Sequence, residues 1–190
     1  MRHATFLRTF VPVAMFVLVG SASLAQPGKK FATAGDIELG GSISFQTTSP
    51  VYNGRTGDAM TIFSLSPFIG FFVANGLEVG LNPLGITVIS YSGSSATSVM
   101  VFAAPSYNLN TGGNVYPFIE ALLGYTAESN SSSVSGFSWG GRGGLKIALT
   151  GKGLLNLGVQ YLQITLNPSG ATSRNGENQL AISAGFSVWF

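Results

Sequence analysis

Residues 179–190 have the sequence QLAISAGFSVWF, in which every second residue from Leu180 to Phe190 is apolar. The positions between them carry mostly small or polar residues. This period of two is typical of a β-strand whose two faces meet different surroundings. The segment therefore predicts a strand with an unbroken apolar face, and the composition of the whole chain indicates what that face contacts.

The chain is too poor in charged residues to form the surface of a soluble domain. Only 8% of its 190 residues are Asp, Glu, Lys or Arg, and its mean hydropathy is +0.37. A soluble domain carries about a quarter of its residues as charged ones. A barrel with an apolar exterior in hydrocarbon and an interior rich in Ser and Gly fits this composition. The apolar strand face is therefore predicted to lie against lipid.

The first 25 residues have the three-part pattern of a secretory signal peptide. A basic start precedes an apolar run at 10–19, and the small residue Ala25 marks the expected cleavage site. The alternative is an N-terminal membrane anchor, but the run is too short to span a bilayer and Pro12 interrupts it. We expect a cleaved leader at 1–25, a short periplasmic N-terminal segment at 26–35 and a barrel at 36–190.

The part that follows the leader lacks the charge and the residue types that most functional sites need. Arg2 and Arg8 lie in the leader, which leaves seven basic and seven acidic residues and no basic patch for nucleic acid. The chain has no cysteine, and its one histidine, His3, is also in the leader. A Ser-His pair and sites built on His or Cys are therefore excluded. We expect no catalytic, cofactor-binding or metal site, and no enzyme.

Beyond the leader, no stretch offers the roughly 20 apolar residues of a membrane helix. The alternating stretches predict eight strands, near 36–48, 59–73, 77–91, 97–108, 115–127, 136–149, 154–166 and 179–190. Short turns alternate with longer polar connections, as in bacterial outer-membrane barrels, where the short turns are periplasmic. The predicted fold is all-β, an eight-stranded antiparallel up-and-down transmembrane β-barrel with both chain ends on the periplasmic side.

Two features depart from simple alternation. Pro67, Pro83, Pro105 and Pro117 fall inside predicted strands, where we expect bulges or strand ends. In the seventh predicted strand the apolar residues change face after Tyr161. Either a bulge or a strand that rises above the membrane explains this change.

Five charged residues are predicted to face the barrel interior: Glu38, Glu78, Glu120, Arg142 and Lys146. If the hairpin between the fifth and sixth predicted strands is centred near Ser131, Glu120 lies directly across from Arg142, and Lys146 can extend the network. A buried carboxylate needs such a partner. The group is either a charged gate in a narrow pore or a polar plug. An eight-stranded barrel is just wide enough for side chains to fill, which favours the plug.

Several stretches carry a resemblance to a known family: SPFIGFFV at 66–73, GLEVGL at 76–81, YPFIEA at 116–121 and GFSVWF at 185–190. With these stretches the chain resembles, over 26–190, the small outer-membrane β-barrels typified by OmpX and the OmpA membrane domain. The resemblance implies a monomer surrounded by outer-membrane lipids. In such barrels the closing strand serves as an assembly signal, here Phe186, Val188 and Phe190, and we expect the barrel-assembly machinery and periplasmic chaperones as partners during biogenesis.

The leading functional prediction is a structural, envelope-integrity or surface-interaction protein of the cell outer membrane. Its lumen is expected to be filled by side chains, and its external loops are the expected recognition surface. The alternative is a narrow porin-like channel for ions or small solutes, gated by Glu120 and Arg142.

Overall fold

The computed structural model describes residues 30–57, 60–91, 94–129, 133–149, 152–167 and 173–190. The predicted leader lies outside these residues. The strands are β1 (Ile37–Tyr52), β2 (Arg55–Thr56), β3 (Met60–Ala74), β4 (Leu77–Tyr91), β5 (Ser94–Asn108), β6 (Val115–Ser129), β7 (Ser133–Ala148), β8 (Gly153–Thr165) and β9 (Gly176–Trp189).

The strands form one antiparallel sheet that closes on itself. Each long strand pairs with the next along the chain, and β1 also pairs with β9 from Glu38↔Trp189 to Val51↔Gly176. β2 only extends β1 as a two-residue hairpin. The eight long strands therefore make the predicted antiparallel barrel. No helix among the described residues is long and apolar enough to cross a membrane.

The two ends of the barrel differ in their connections. The turn end holds the connections at 75–76, 109–114 and 149–152, together with residues 30–36 and Phe190. The longest connection, between Thr165 and Gly176, is at the loop end, but those between Tyr91 and Ser94 and between Ser129 and Ser133 are shorter than 109–114, so the expected alternation of short turns and longer loops holds only in part. The loop end holds the other connections, but the strands reach further into them than the sequence predicts. β1 continues to Tyr52, and β5 begins at Ser94. Polar residues in antiparallel register satisfy their backbone groups in the ladder, so pairing does not stop where the apolar alternation stops.

An apolar belt surrounds the barrel because alternate residues of every long strand point outward. In β6 the outward face from Val115 to Ala127 is apolar apart from the hydroxyl of Tyr125. This stretch is longer than the 9–11 residues that a tilted strand needs to cross a bilayer. Trp139 also points outward and is 47% exposed. One outward residue from each long strand, exposed by 41–66%, illustrates the belt: Ile43, Ile69, Val79, Val101, Ile119, Leu145, Val159 and Ile182.

Two of the four strand prolines lie where the β3–β4 ladder is irregular. The register shifts between Leu65 and Ile69, on either side of Pro67, and Pro83 lies in the irregular stretch of β4 between Asn82 and Gly85. A proline cannot donate to the ladder, so the expected irregularity is present at these positions. Pro105 and Pro117 instead remain in register with the neighbouring strands β4 and β7.

The change of face in β8 does not come from a bulge, one of the two explanations that the sequence left open. β8 pairs with β9 without a shift from Gly153↔Val188 to Thr165↔Gly176. Leu162 and Ile164 point into the barrel and are 2% and 1% exposed. They belong to an apolar interior cluster of Met100, Phe102, Ala104, Leu122, Leu162, Ile164 and Leu166. This apolar cluster lies in the interior beside the expected Ser and Gly residues.

Candidate functional site

The candidate site is the charged interior of the barrel, and strand alternation places its members. Arg142 and Lys146 lie four residues apart on β7, so both point inward. Glu120 on β6 is the direct register partner of Arg142. Glu38 on β1 and Glu78 on β4 come from the far sides of the barrel, and both are fully buried.

One ion pair joins neighbouring strands, and we call it the Arg142 pair. Nη2 of Arg142 donates to Oε2 of Glu120 over 2.9 Å. The carboxylate side chain is 1% exposed and the guanidinium side chain 13%. This pairing across the hairpin is the register expected from the sequence.

A second group, which we call the Lys146 cluster, consists of Lys146, Glu38 and Glu78. Nζ of Lys146 donates to Oε2 of Glu38 at 2.6 Å and to Oε2 of Glu78 at 3.0 Å. Neutral donors add to both carboxylates: Ser187 Oγ donates to Oε1 of Glu38, and Ser106 Oγ donates to Oε2 of Glu78. Oε1 of Glu78 has no hydrogen-bond partner among the described residues. Two buried carboxylates therefore share one buried ammonium, and each has a further hydrogen bond.

The two charged groups are separate where the sequence predicts one extended network. Among the described contacts, Lys146 makes no ion pair with Glu120, and its carboxylates come from β1 and β4. The ring of Phe118 lies near both cations, 5.6 Å from Cζ of Arg142 and 5.5 Å from Nζ of Lys146. The faces of aromatic rings attract cations. Phe118 thus links the groups without a hydrogen bond.

Inward glycines make room for these side chains. A Cβ at Gly70 would overlap the carboxylate of Glu78, and one at Gly80 would lie 2.6 Å from the ring of Phe68. The predicted inward glycines therefore serve close packing at these two positions. They do not widen the lumen there.

The space left in the described part of the lumen is small. A cavity of about 20 Å³ lies beside Arg142 and Lys146, and another of about 30 Å³ is lined by Ser44, Asn82 and Gln179. One water needs about 10–15 Å³ of such space, so these cavities have room for one or two waters each. Around these two cavities the described side chains leave little free space.

An aromatic layer at the turn end was missed from the sequence. Phe31, Phe72, Tyr116 and Trp189 are each no more than 6% exposed and pack together below the Lys146 cluster. Alternation identifies Phe72, Tyr116 and Trp189 as inward. Phe31 lies in the predicted periplasmic segment at 26–35, where a single apolar residue has no periodicity to reveal its direction.

The residues of the predicted assembly signal lie at the seam where β1 meets β9. Phe186 and Phe190 point outward and are 52% and 54% exposed. Phe190 N donates to Ile37 O over 3.0 Å, and Ile37 N donates to Phe190 O over 3.3 Å. Val188 lies between the two phenylalanines on the same face. The seam thus continues up to Phe190.

The described residues contain no group of three or more His, Cys, Asp or Glu side chains that could hold a metal ion. The arrangement that remains is electrostatic. The Arg142 pair balances one cation with one carboxylate, and the Lys146 cluster holds two carboxylates around one ammonium.

Comparisons with solved structures agree with the barrel geometry. Neisserial surface protein A has a similar structure, with a TM-score of 0.66 and 18% identity over 82% of this chain and 99% of that chain. The outer membrane protein OprG from Pseudomonas aeruginosa follows with a TM-score of 0.57, 17% identity, and coverage of 83% and 97%. The outer membrane protein AlkL, solved in lipid bilayers, has a TM-score of 0.56 and 16% identity, over 87% of this chain and 95% of that chain.

The fold is that of the small outer-membrane β-barrels. No protein-family model matches the sequence, and a search of curated proteins finds no match. At these identities the likeness to outer-membrane β-barrels concerns the fold. The charged interior of this barrel is therefore interpreted from its own residues.

Proposed function

We propose that this protein is an integral, monomeric outer-membrane barrel with a structural, envelope-integrity or surface-interaction role. The observation that carries the proposal is the combination of a complete apolar belt with an interior filled by its own side chains. The belt needs a lipid environment, because apolar patches larger than a few hundred Å² are rare on soluble monomers. The filled interior argues for a role without catalysis or transport.

The orientation follows from the two ends. In outer-membrane barrels the longer loops are external. The longest connection, between Thr165 and Gly176, lies at the loop end, so we infer that the loop end faces the cell exterior and the turn end faces the periplasm. Lipid covers the belt, so recognition of a surface partner is assigned to the loop end. The barrel-assembly machinery and periplasmic chaperones act only during biogenesis.

The location is tested by expression of the full chain in a Gram-negative host, followed by separation of soluble, inner-membrane and outer-membrane fractions. We expect the protein in the outer-membrane fraction. We also expect faster gel migration of the unheated sample, because the closed barrel stays compact until it is boiled. A soluble periplasmic product would contradict the proposal.

The closed lumen is tested by recordings in planar bilayers of the purified, folded protein. We expect no single-channel steps, because the Arg142 pair and the Lys146 cluster fill the cross-section. The alternative, a narrow channel gated by Glu120 and Arg142, predicts steps whose conductance changes in Glu120→Gln. Glu128→Gln, at the loop end of the same strand, is the matched control. Steps that respond to the first substitution and not to the second would establish the channel.

A further inference from the structure

The segment of residues 30–36 closes the mouth of the barrel at the turn end. Phe31 inserts into the mouth and is 2% exposed. Its ring makes edge-to-face contacts with Phe72, Tyr116 and Trp189, at centroid distances of 5.2, 5.0 and 6.0 Å. Nζ of Lys146 lies 5.4 Å from the centre of the same ring. Phe31 therefore separates the Lys146 cluster from solvent at this end.

Specific backbone contacts hold the segment in this position. Gly35 N donates to Phe72 O at 2.8 Å, and Gly76 N donates to Ala32 O at 2.9 Å. Asn75 Oδ1 accepts from Ala34 N at 2.9 Å. Ala32 has a φ of +68°, a left-handed conformation that alanine rarely adopts and that persists only where its surroundings enforce it. These contacts therefore hold residues 30–36 in one defined position.

The segment is not itself part of the strand ladders of the barrel. Its contacts with β3, with the 75–76 turn, and with Tyr116 and Trp189 lie outside the strand ladders that close the sheet. Phe31 can leave its pocket by rotation of the chain before Asp36 while every barrel strand stays paired. Its release would expose the Lys146 cluster to the turn end.

We propose that residues 30–36 form a removable stopper, with Phe31 as its plug, that controls access of water and small solutes to the Lys146 cluster. The charged side chains of the interior form one barrier to solutes, and the stopper adds a second barrier at the turn end. The stopper is a property of the folded barrel, so its test does not depend on where the protein lies in the cell.

The test uses the absence of cysteine from the chain, which allows one reporter thiol. Ser106 is 3% exposed and hydrogen-bonds to Glu78, so Ser106→Cys places a thiol of similar size in the shielded interior. The rate of its reaction with methyl methanethiosulfonate is measured in the folded, micelle-bound protein. Phe31→Ala should raise this rate about tenfold or more, a factor that corresponds to about 1.4 kcal/mol.

Phe71→Ala is the matched control, because Phe71 is the outward neighbour of Phe72 and is 48% exposed. It should leave the labelling rate unchanged. Equal labelling rates in the Phe31→Ala variant and in the protein that keeps Phe31 would contradict the stopper. Heat-dependent gel mobility establishes that each variant is folded.

Hydrogen exchange of the unsubstituted protein keeps the proposal testable if Phe31→Ala does not fold. A removable stopper predicts that the Gly35 and Gly76 amides exchange faster than ladder amides of the β1–β9 seam, through local opening. Exchange of both amides at the rate of the seam would mean that the segment opens only when the barrel unfolds, and would overturn the proposal.

Discussion

Lys146→Met should lower the free energy of unfolding by about 3–5 kcal/mol, since removal of one partner leaves buried charge without compensation. In this variant Glu38 and Glu78 lose their shared ammonium while remaining fully buried. Methionine fills a similar volume, so the loss reports electrostatics more than packing. Urea titration of the folded protein in micelles, followed by tryptophan fluorescence, measures the change.

Two further variants separate the charge effect from other causes. Lys152→Met removes a cation at the barrel rim, 5.6 Å from the ring of Trp189, and should cost about 1 kcal/mol or less. The triple variant with Glu38→Gln and Glu78→Gln added to Lys146→Met should recover most of the lost stability. A loss in Lys146→Met no larger than that in Lys152→Met would contradict the description of the cluster as a buried, mutually dependent unit.

Phe190→Ala should sharply lower the amount of folded protein in the outer membrane of living cells, while the folded barrel keeps most of its stability. The side chain is 54% exposed and points away from the interior, so it adds little to the packing of the barrel. Its backbone hydrogen bonds to Ile37 are kept by alanine. We therefore propose that Phe190, with Phe186 and Val188, is recognised during assembly.

The matched control is Phe71→Ala, another outward phenylalanine with similar exposure. Quantitative immunoblots of outer-membrane fractions give the cellular level, and urea titration of refolded protein gives the stability. We expect Phe190→Ala to fall several-fold below the control in cells and to match it in the titration. Equal cellular levels of Phe190→Ala and Phe71→Ala would contradict a role of Phe190 in recognition.

The period of two was enough to predict the fold and one of the two charged groups. It placed Glu120 and Arg142 inward on adjacent strands, and one hairpin then set their register. The Lys146 cluster could not be paired in this way. Lys146 meets Glu38 and Glu78 across the lumen from strands that are not its neighbours, and only the diameter and closure of the barrel bring them together.

The other differences between the predictions from the sequence and the structure also have local causes. Leu162 and Ile164 suggested either a bulge or a strand that rises above the membrane, because alternation alone cannot tell an apolar lumen from lipid. Pro67 and Pro83 were correctly expected to disturb the sheet. A proline lacks the N–H that donates to the ladder, whichever way its side chain points. Phe31 could not be placed at all, because its position depends on the pocket that three distant strands build for it.

The two tryptophans of the chain lie on opposite sides of the barrel wall. Trp139 points into the apolar belt, while Trp189 is 6% exposed inside the mouth beside Phe31. Intrinsic fluorescence can therefore follow two events of folding separately. A quencher carried on lipid chains reports arrival of Trp139 in the bilayer, and a water-soluble quencher reports the sealing of Trp189, so the order of insertion and closure becomes measurable without any attached dye.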